Sequence, residues 1–237
     1  MLALDEELLR EYFAFQKGRK EGYNKITISR LFKYLQPFIL SVKQKDDIGL
    51  SNEIAKSLCD SGLVKISTCQ NEDDLIQKTK LKVMLTQSSL DGTFPYPYIN
   101  ILDDEIGVSF TATYKSGENR DKAKEHIKAL LLDANEISIY DRYLSANNSW
   151  NINKQVLFSL LPLKSLIIKI FCDIHWSNNK KADLENYYAT WSIEKEDWNT
   201  DIHDRYIETD KVIILLSSGF INLGNNSKDF TYIVKLK

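Results

Sequence analysis

Asp201-Ile202-His203-Asp204-Arg205-Tyr206-Ile207-Glu208-Thr209-Asp210-Lys211 runs into the apolar Val212–Leu216 and then into Ser217-Ser218-Gly219. Side chains alternate along a strand, so His203 and Arg205, two apart, project to one face. A guanidinium forks two phosphate oxygens, and an imidazole beside it can attack phosphorus or donate a proton. The pair therefore points to phosphate chemistry. Asp210 opens the next strand, five residues after Arg205, and is read as the carboxylate that orients an imidazole. Ser217 and Ser218 follow that strand, where a tight turn would return their hydroxyls to the same phosphate. The competing reading makes His203, its neighbouring carboxylates and Arg205 a structural network at a strand end.

Working back from this stretch, strand-like and helix-like patterns alternate. Ile106–Tyr114 alternates in polarity, a helix is expected over 119–134, and Glu136–Tyr140 reads as a strand. A helix around 152–162 is followed by the apolar strand 166–172. Another helix spans about 180–190, with strands near 191–196, 203–208, 211–216 and 230–235. Strands alternating with helices, with apolar runs buried on both faces, predict an α/β fold with a mixed sheet. Asp141 and Arg142 follow the strand that ends at Tyr140 and are expected to line the His203 pocket. Their bland alternative is a surface ion pair. His126 reads as a solvated helix residue, and His175 as a cap on the strand before it.

The first 72 residues read differently. Helices are expected over 4–16, over 29–42 with a break at Pro37, and from Ser51 to Ser61-Gly62, followed by the strand Leu63–Ile66. This mainly helical segment has the rhythm of a winged helix. The acidic Asn71-Glu72-Asp73-Asp74 is read as a linker, and residues 78–114 as antiparallel strands with turns at Asp91-Gly92, Pro95 and Pro97. The expected division is a helical domain over 1–72 and an α/β domain with an N-terminal β extension over 73–237. Lys17, Arg19, Lys20, Lys25, Arg30 and Lys33 form a basic cluster interleaved with tyrosines. It suits a nucleic-acid backbone or, equally, a solvated helix face.

Composition narrows the classes. The 237 residues are 43% hydrophobic and 27% charged, with a net charge of −2, so a wholly electrostatic grip on nucleic acid is excluded. No apolar run approaches the roughly 20 residues of a membrane helix. The acidic opening Met-Leu-Ala-Leu-Asp-Glu-Glu is the reverse of a signal peptide. Cys59, Cys69 and Cys172 lack metal-ligand spacing. The expectation is a cytoplasmic protein without a metal or other cofactor.

His203-x-Arg205, four residues, Asp210, six residues, then Ser217-Ser218-Gly219-Phe220 resembles the motif of the phospholipase D-like superfamily: His-x-Lys, four residues, Asp, six residues, Gly-Ser-x-Asn. Here Arg205 stands for Lys, Ser217 for Gly and Phe220 for Asn. His-Asp-Arg-Tyr-Ile also resembles the C-terminal domain of MIT-domain proteins and of small bacterial defence-associated proteins. The resemblance covers about 105–237. It implies a metal-independent phosphodiesterase, most simply a nuclease in defence against phage or mobile elements, with His203, Arg205 and Asp210 catalytic and with Arg205, Ser217, Ser218, Asp141 and Arg142 holding phosphate. It equally implies an inactive binding module for nucleic acid, a phosphorylated ligand or a partner protein. One motif copy where the family combines two implies a homodimer pairing two His203 residues. Nucleic acid and a protein from the same operon are the expected partners.

Overall fold

The computed structural model describes every residue except 35–36, 88–95, 103–108, 173–174 and 199–203. It divides into two compact units, Met1–Val108 and Ser109–Lys237.

In the first unit, each helix among the described residues starts where an Asp, Asn or Ser side chain takes up an orphan backbone N–H. The elements are β1 (Leu2–Leu4), α1 (Glu6–Gln16), α2 (Lys25–Leu31), a 3-10 turn (Phe32–Tyr34), β2 (Phe38–Ser41), α3 (Val42–Asp47), α4 (Asn52–Asp60), β3 (Val64–Ser67), α5 (Glu72–Gln77), β4 (Met84–Thr86) and β5 (Tyr98–Asn100). Asp5, Asn24, Ser41, Ser51 and Asn71 cap α1 to α5 in turn, Ser41 in a full capping box with Gln44. The strands are short and all parallel, in the order β3-β2-β1-β4-β5. Leu2, Ala3, Leu4, Ile39, Leu40, Met84 and Leu85 form the buried centre.

This unit overturns the winged-helix expectation. The helix expected over 29–42 ends at Leu31, and beyond Pro37 the run Phe38-Ile39-Leu40-Ser41 is a strand buried on both faces. A short apolar run has no period that separates a buried strand from a buried helix. Asn71-Glu72-Asp73-Asp74 is not a linker: Asn71 caps α5, and the three acids sit in its first turn, where the helix dipole favours them. β4 and β5 run parallel to β1 rather than antiparallel. Because Ala3 and Leu4 pair with Met84 and Leu85, residues beyond 72 belong to the first sheet, and the division falls after Val108. The expected turns at Asp91-Gly92 and Pro95 lie outside the described residues.

The second unit holds β6 (Ser109–Tyr114), α6 (Asp121–Leu131), β7 (Glu136–Tyr140), α7 (Trp150–Leu160), β8 (Leu166–Phe171), α8 (Asn178–Tyr187), β9 (Trp191–Glu196), β10 (Tyr206–Glu208), β11 (Val212–Leu216), α9 (Gly219–Gly224) and β12 (Phe230–Leu236). Its mixed sheet runs β6-β12-β11-β10-β7-β8-β9. β7, β8 and β9 are parallel, joined through α7 and α8, while β10, β11, β12 and β6 are antiparallel. The α/β mixed-sheet expectation therefore holds for residues 109–237. Ile137, Ile139, Ile168, Ile170, Ile193, Ile207, Ile214 and Val234 face the helices and are buried.

His126 is a correction of its own. It is 1% exposed, with Nδ1 2.8 Å from the Tyr232 hydroxyl and its ring edge-on to Phe110. An imidazole is small enough for a helix's core stripe when a buried hydroxyl meets its nitrogen. No helix among the described residues is long and apolar enough to cross a membrane.

Candidate phosphate site

Antiparallel register builds the site. Tyr206 pairs with Tyr140 on one side and Leu215 on the other. Arg205, one residue upstream, therefore arrives beside Asp141 at the carboxyl end of β7, and its carbonyl accepts from Leu216 N–H at 2.8 Å. The carboxyl ends of parallel strands are where α/β sheets place their ligands.

Asp141 is 2% exposed, and its carboxylate is held by backbone. Tyr143 N–H donates to Oδ1 at 2.9 Å and Phe220 N–H to Oδ2 at 3.3 Å. Burial pushes the carboxyl above the usual aspartate range, against the pull of those two amides and of Arg205. Gly219 closes the arrangement at φ +74°: a Cβ there would stand 2.6 Å from Asp141 Oδ2 and 2.7 Å from Arg205 Cδ. Only glycine combines that dihedral with that approach.

Arg205 Nε lies 3.6 Å from Asp141 Oδ1, an ion pair too long for a hydrogen bond, and its side chain is 29% exposed. The guanidinium donates no hydrogen bond to any described residue. It sits over the Tyr143 ring at 5.5 Å, and Arg142 reaches the same ring at 5.8 Å. Arg205 borders two cavities. One, of about 220 Å³, is lined by Asp141, Tyr143, Ser149, Asn153 and Ile221 among others. The other, of about 230 Å³, is lined by Asp204, Leu215, Ser217 and Thr231 among others.

Of the residues expected at the site, Arg205 and Asp141 come together, and Arg142 joins through Tyr143 without lining either cavity. His203 lies outside the described residues. Asp210 is a correction: it sits in the β10–β11 turn, at the opposite end of β10 from Arg205, about 16 Å of extended chain away. It lines a different cleft with Glu136, Ser138 and Glu208, so it cannot orient a group beside Arg205. A five-residue spacing across a strand puts its ends apart, not together. Ser217 borders the second cavity, but its Oγ accepts from Thr231 N–H at 2.9 Å. Ser218 lines neither cavity, and its Oγ faces the Asp229 carbonyl at 3.5 Å. In the first unit Lys17, Arg19 and Lys20 lie between α1 and α2, Lys25 and Arg30 on α2, and Lys33 in the 3-10 turn that follows it.

Sequence reasoning missed Gly219, Tyr143 and Lys180. Lys180 is 9% exposed, and its ammonium donates to the Ser145 carbonyl at 2.6 Å, Asn147 Oδ1 at 2.8 Å and the His175 carbonyl at 2.5 Å. It thereby ties the β7–α7 loop, which carries Asp141 and Tyr143, to the β8–α8 loop. Nothing in Lys180-Lys181 marks the first as buried and the second as exposed. Among the described residues, no group of three or more His, Cys, Asp or Glu is placed to hold a metal ion.

No protein-family model matches the chain, and no curated protein matches it. Among solved structures, the chain is similar to polyphosphate kinase from Porphyromonas gingivalis, with 11% identity and a TM-score of 0.36, over 54% of this chain and 21% of that one. It is also similar to TrmBL2, an archaeal chromatin protein whose structure is described as showing a novel mode of DNA binding, with 12% identity and a TM-score of 0.27, over 52% of this chain and 45% of that one. The chain thus spans about a fifth and under half of the lengths of these two proteins.

Proposed function

We propose that the second unit is a phospholipase D-like domain that grips a phosphodiester, most simply of a nucleic acid, through Arg205. One observation carries this reading: the Arg205 guanidinium sits between two cavities with none of its N–H groups hydrogen-bonded to a described residue. A planar donor fork in that state fits two oxygens of a phosphate or a carboxylate, and the family motif around it favours phosphate. Asp141 restrains the guanidinium without spending its donors. Ser217 and Arg142 belong to this reading as secondary contacts to the backbone of the ligand; the basic cluster of the first unit is a separate proposed contact to nucleic acid.

A second reading adds turnover, and Asp141 favours it. Two-step phosphodiester cleavage needs an acid beside the phosphate. In that reading His203 attacks phosphorus, a P–N bond forms as the P–O ester bond breaks, and the leaving oxygen takes its proton from Asp141. Burial holds that carboxyl above its usual range. Water then attacks phosphorus with Asp141 as base and releases His203. This places both groups in one protomer, where the sequence motif alone called for a paired His203. The bacterial-defence setting and an operon partner rest on the family resemblance.

The test is to incubate the protein with labelled single-stranded RNA and DNA in EDTA, reading binding and cleavage separately. Arg205→Ala is expected to lose binding. Cleavage, where present, survives EDTA and disappears in His203→Ala and Asp141→Asn, both of which keep binding. Binding untouched by Arg205→Ala overturns the phosphate reading; cleavage that requires magnesium overturns the turnover reading.

A further inference from the structure

Buried polar side chains are nearly always hydrogen-bonded, so an exception calls for a physical account. Among the described residues, the buried side-chain nitrogens and oxygens without a partner are two nitrogens of Arg120 and Oδ1 of Asn153. Arg120 is explained locally. Its guanidinium lies over the Tyr114 and Phe230 rings at 5.3 and 5.9 Å, and its remaining nitrogen donates to the Lys115 and Lys228 carbonyls. Asn153 has no such explanation. It stands on α7, 2% exposed, and lines the cavity of about 220 Å³ that Arg205 and Asp141 border. Its amide cannot be turned round: Nδ2 donates to the Leu144 carbonyl at 2.8 Å and to Ser149 Oγ at 3.4 Å, and a flipped amide would set Oδ1 against the Leu144 oxygen. The Ser149 hydroxyl is directed to the Tyr143 and Ala146 carbonyls at 3.4 and 3.3 Å, so its proton is not offered to Oδ1. A residue of the cavity wall therefore keeps an acceptor with no donor, shut off from bulk water.

We infer that this cavity takes the sugar next to the bound phosphate and that Asn153 reads its 2′-hydroxyl, so that the ligand is RNA rather than DNA. The inference deepens the phosphate reading and rests on it. A nucleic-acid phosphate on Arg205 carries a sugar directly on each side, and a base is reached only through that sugar. The group entering a cavity that borders the guanidinium is therefore the sugar. The walls match one. Ala146 and Ile221 are apolar and suit the C–H face of the ring, while Asn148, Ser149 and Asn153 are polar and suit its hydroxyl edge. Deoxyribose within a strand brings no hydroxyl donor and leaves Oδ1 unpaired, whereas the ribose 2′-hydroxyl supplies the missing proton. That hydroxyl is the group by which a protein tells RNA from DNA at a given position. An amide oxygen is too weak a base to activate a hydroxyl. Asn153 thus determines specificity without taking part in bond breaking, and the preference holds whether or not the site turns over.

The test is equilibrium binding of the full chain, in EDTA, to single-stranded oligocytidylates of one length built on ribose, deoxyribose or 2′-fluoro sugars. The fluoro sugar keeps the pucker of RNA but has no proton to donate. Wild type is expected to bind the ribose strand about 10- to 100-fold more tightly than either of the others, the effect of leaving one buried acceptor unpaired. Asn153→Leu, checked by melting, should bind all three strands alike, and Arg205→Ala should weaken all three by one common factor. The wild-type comparison decides the matter even where Asn153→Leu does not fold. Equal binding of the three strands by wild type, each weakened by Arg205→Ala, overturns this inference and leaves the phosphate reading standing. Binding that ignores Arg205→Ala overturns both. A fluoro strand that binds like the ribose strand assigns the preference to sugar pucker and overturns the role of Asn153, as does a folded Asn153→Leu protein that still prefers ribose.

Discussion

Gly219→Ala probes the site without touching a charged residue. Two costs add. A non-glycine residue at φ +74° carries about 1 kcal/mol of backbone strain. The new Cβ would stand 2.6 Å from Asp141 Oδ2, which must move, and 2.7 Å from Arg205 Cδ. Arg205 can swing away; Asp141 cannot without giving up the Phe220 N–H, 3.3 Å from the same oxygen. Losing a buried hydrogen bond to a carboxylate costs about 1–3 kcal/mol, so the expected total is about 3 kcal/mol. For a unit of this size that lowers the melting temperature by about 10 °C. Gly117→Ala isolates the strain, since its φ is +84° and a Cβ there meets nothing within 4 Å. Gly224→Ala isolates crowding elsewhere, since its Cβ would meet Ile152 and Val156 at 2.6 and 2.7 Å. Thermal melts with phosphodiester titrations on all three variants decide the matter. Gly219→Ala should lose both stability and affinity, Gly224→Ala stability alone, and Gly117→Ala little of either. A Gly219→Ala protein that melts with Gly117→Ala and binds like wild type refutes the packing of Gly219 against Asp141 and Arg205.

Other expectations follow from individual residues. Lys180→Met strands the Ser145 and His175 carbonyls, so it should cost about 2–4 kcal/mol in a chemical denaturation and loosen the Asp141 loop; a loss under about 0.5 kcal/mol would contradict the buried ammonium. Because the Asp141 carboxyl titrates higher in the folded chain than in the unfolded one, the folded chain holds a proton that the unfolded chain has released. The related stability is present below the unfolded value and is lost as pH rises through the folded one. Asp141→Asn should flatten that fall in a pH series of melts, and an identical slope in both proteins would contradict it. If the α1–α2 cluster touches nucleic-acid backbone, replacing Lys17, Arg19 and Lys20 by Gln should reduce the salt dependence of binding by about three in slope; an unchanged slope leaves the cluster a solvated face.

The second unit was largely legible because its periods are unambiguous. Glu136–Tyr140, Leu166–Phe171 and Val212–Leu216 alternate or run apolar between clear helices, and each is a strand where expected. In the first unit, strands of three or four residues are too short for a period to register, and Phe38–Ser41 was absorbed into a neighbouring helix pattern. At the candidate site, Asp141 was expected to follow a strand ending beside the His203–Arg205 stretch, and Arg205 and Asp141 do meet because β10 pairs with β7 in register. Spacing along the chain misplaced Asp210, because a hairpin puts the two ends of a strand at opposite edges of the sheet. Gly219 and Lys180 were invisible for another reason: their roles arise from contacts with residues 78 and 35 positions away, Asp141 and Ser145.

The measurement closest to the central claim compares stability with affinity in Arg205→Ala. The guanidinium makes no hydrogen bond to a described residue, and Asp141 keeps its two backbone donors without it. Stability should therefore change by less than about 1 kcal/mol, within what a partly exposed ion pair contributes. Binding to a phosphodiester oligonucleotide should weaken by about 10- to 150-fold, the loss of a charge-assisted contact of about 1.5–3 kcal/mol, and Arg205→Lys should recover part of it. A melting temperature that collapses while affinity per folded molecule stays at the wild-type value would make Arg205 a structural partner of Asp141 and end the phosphate-site account.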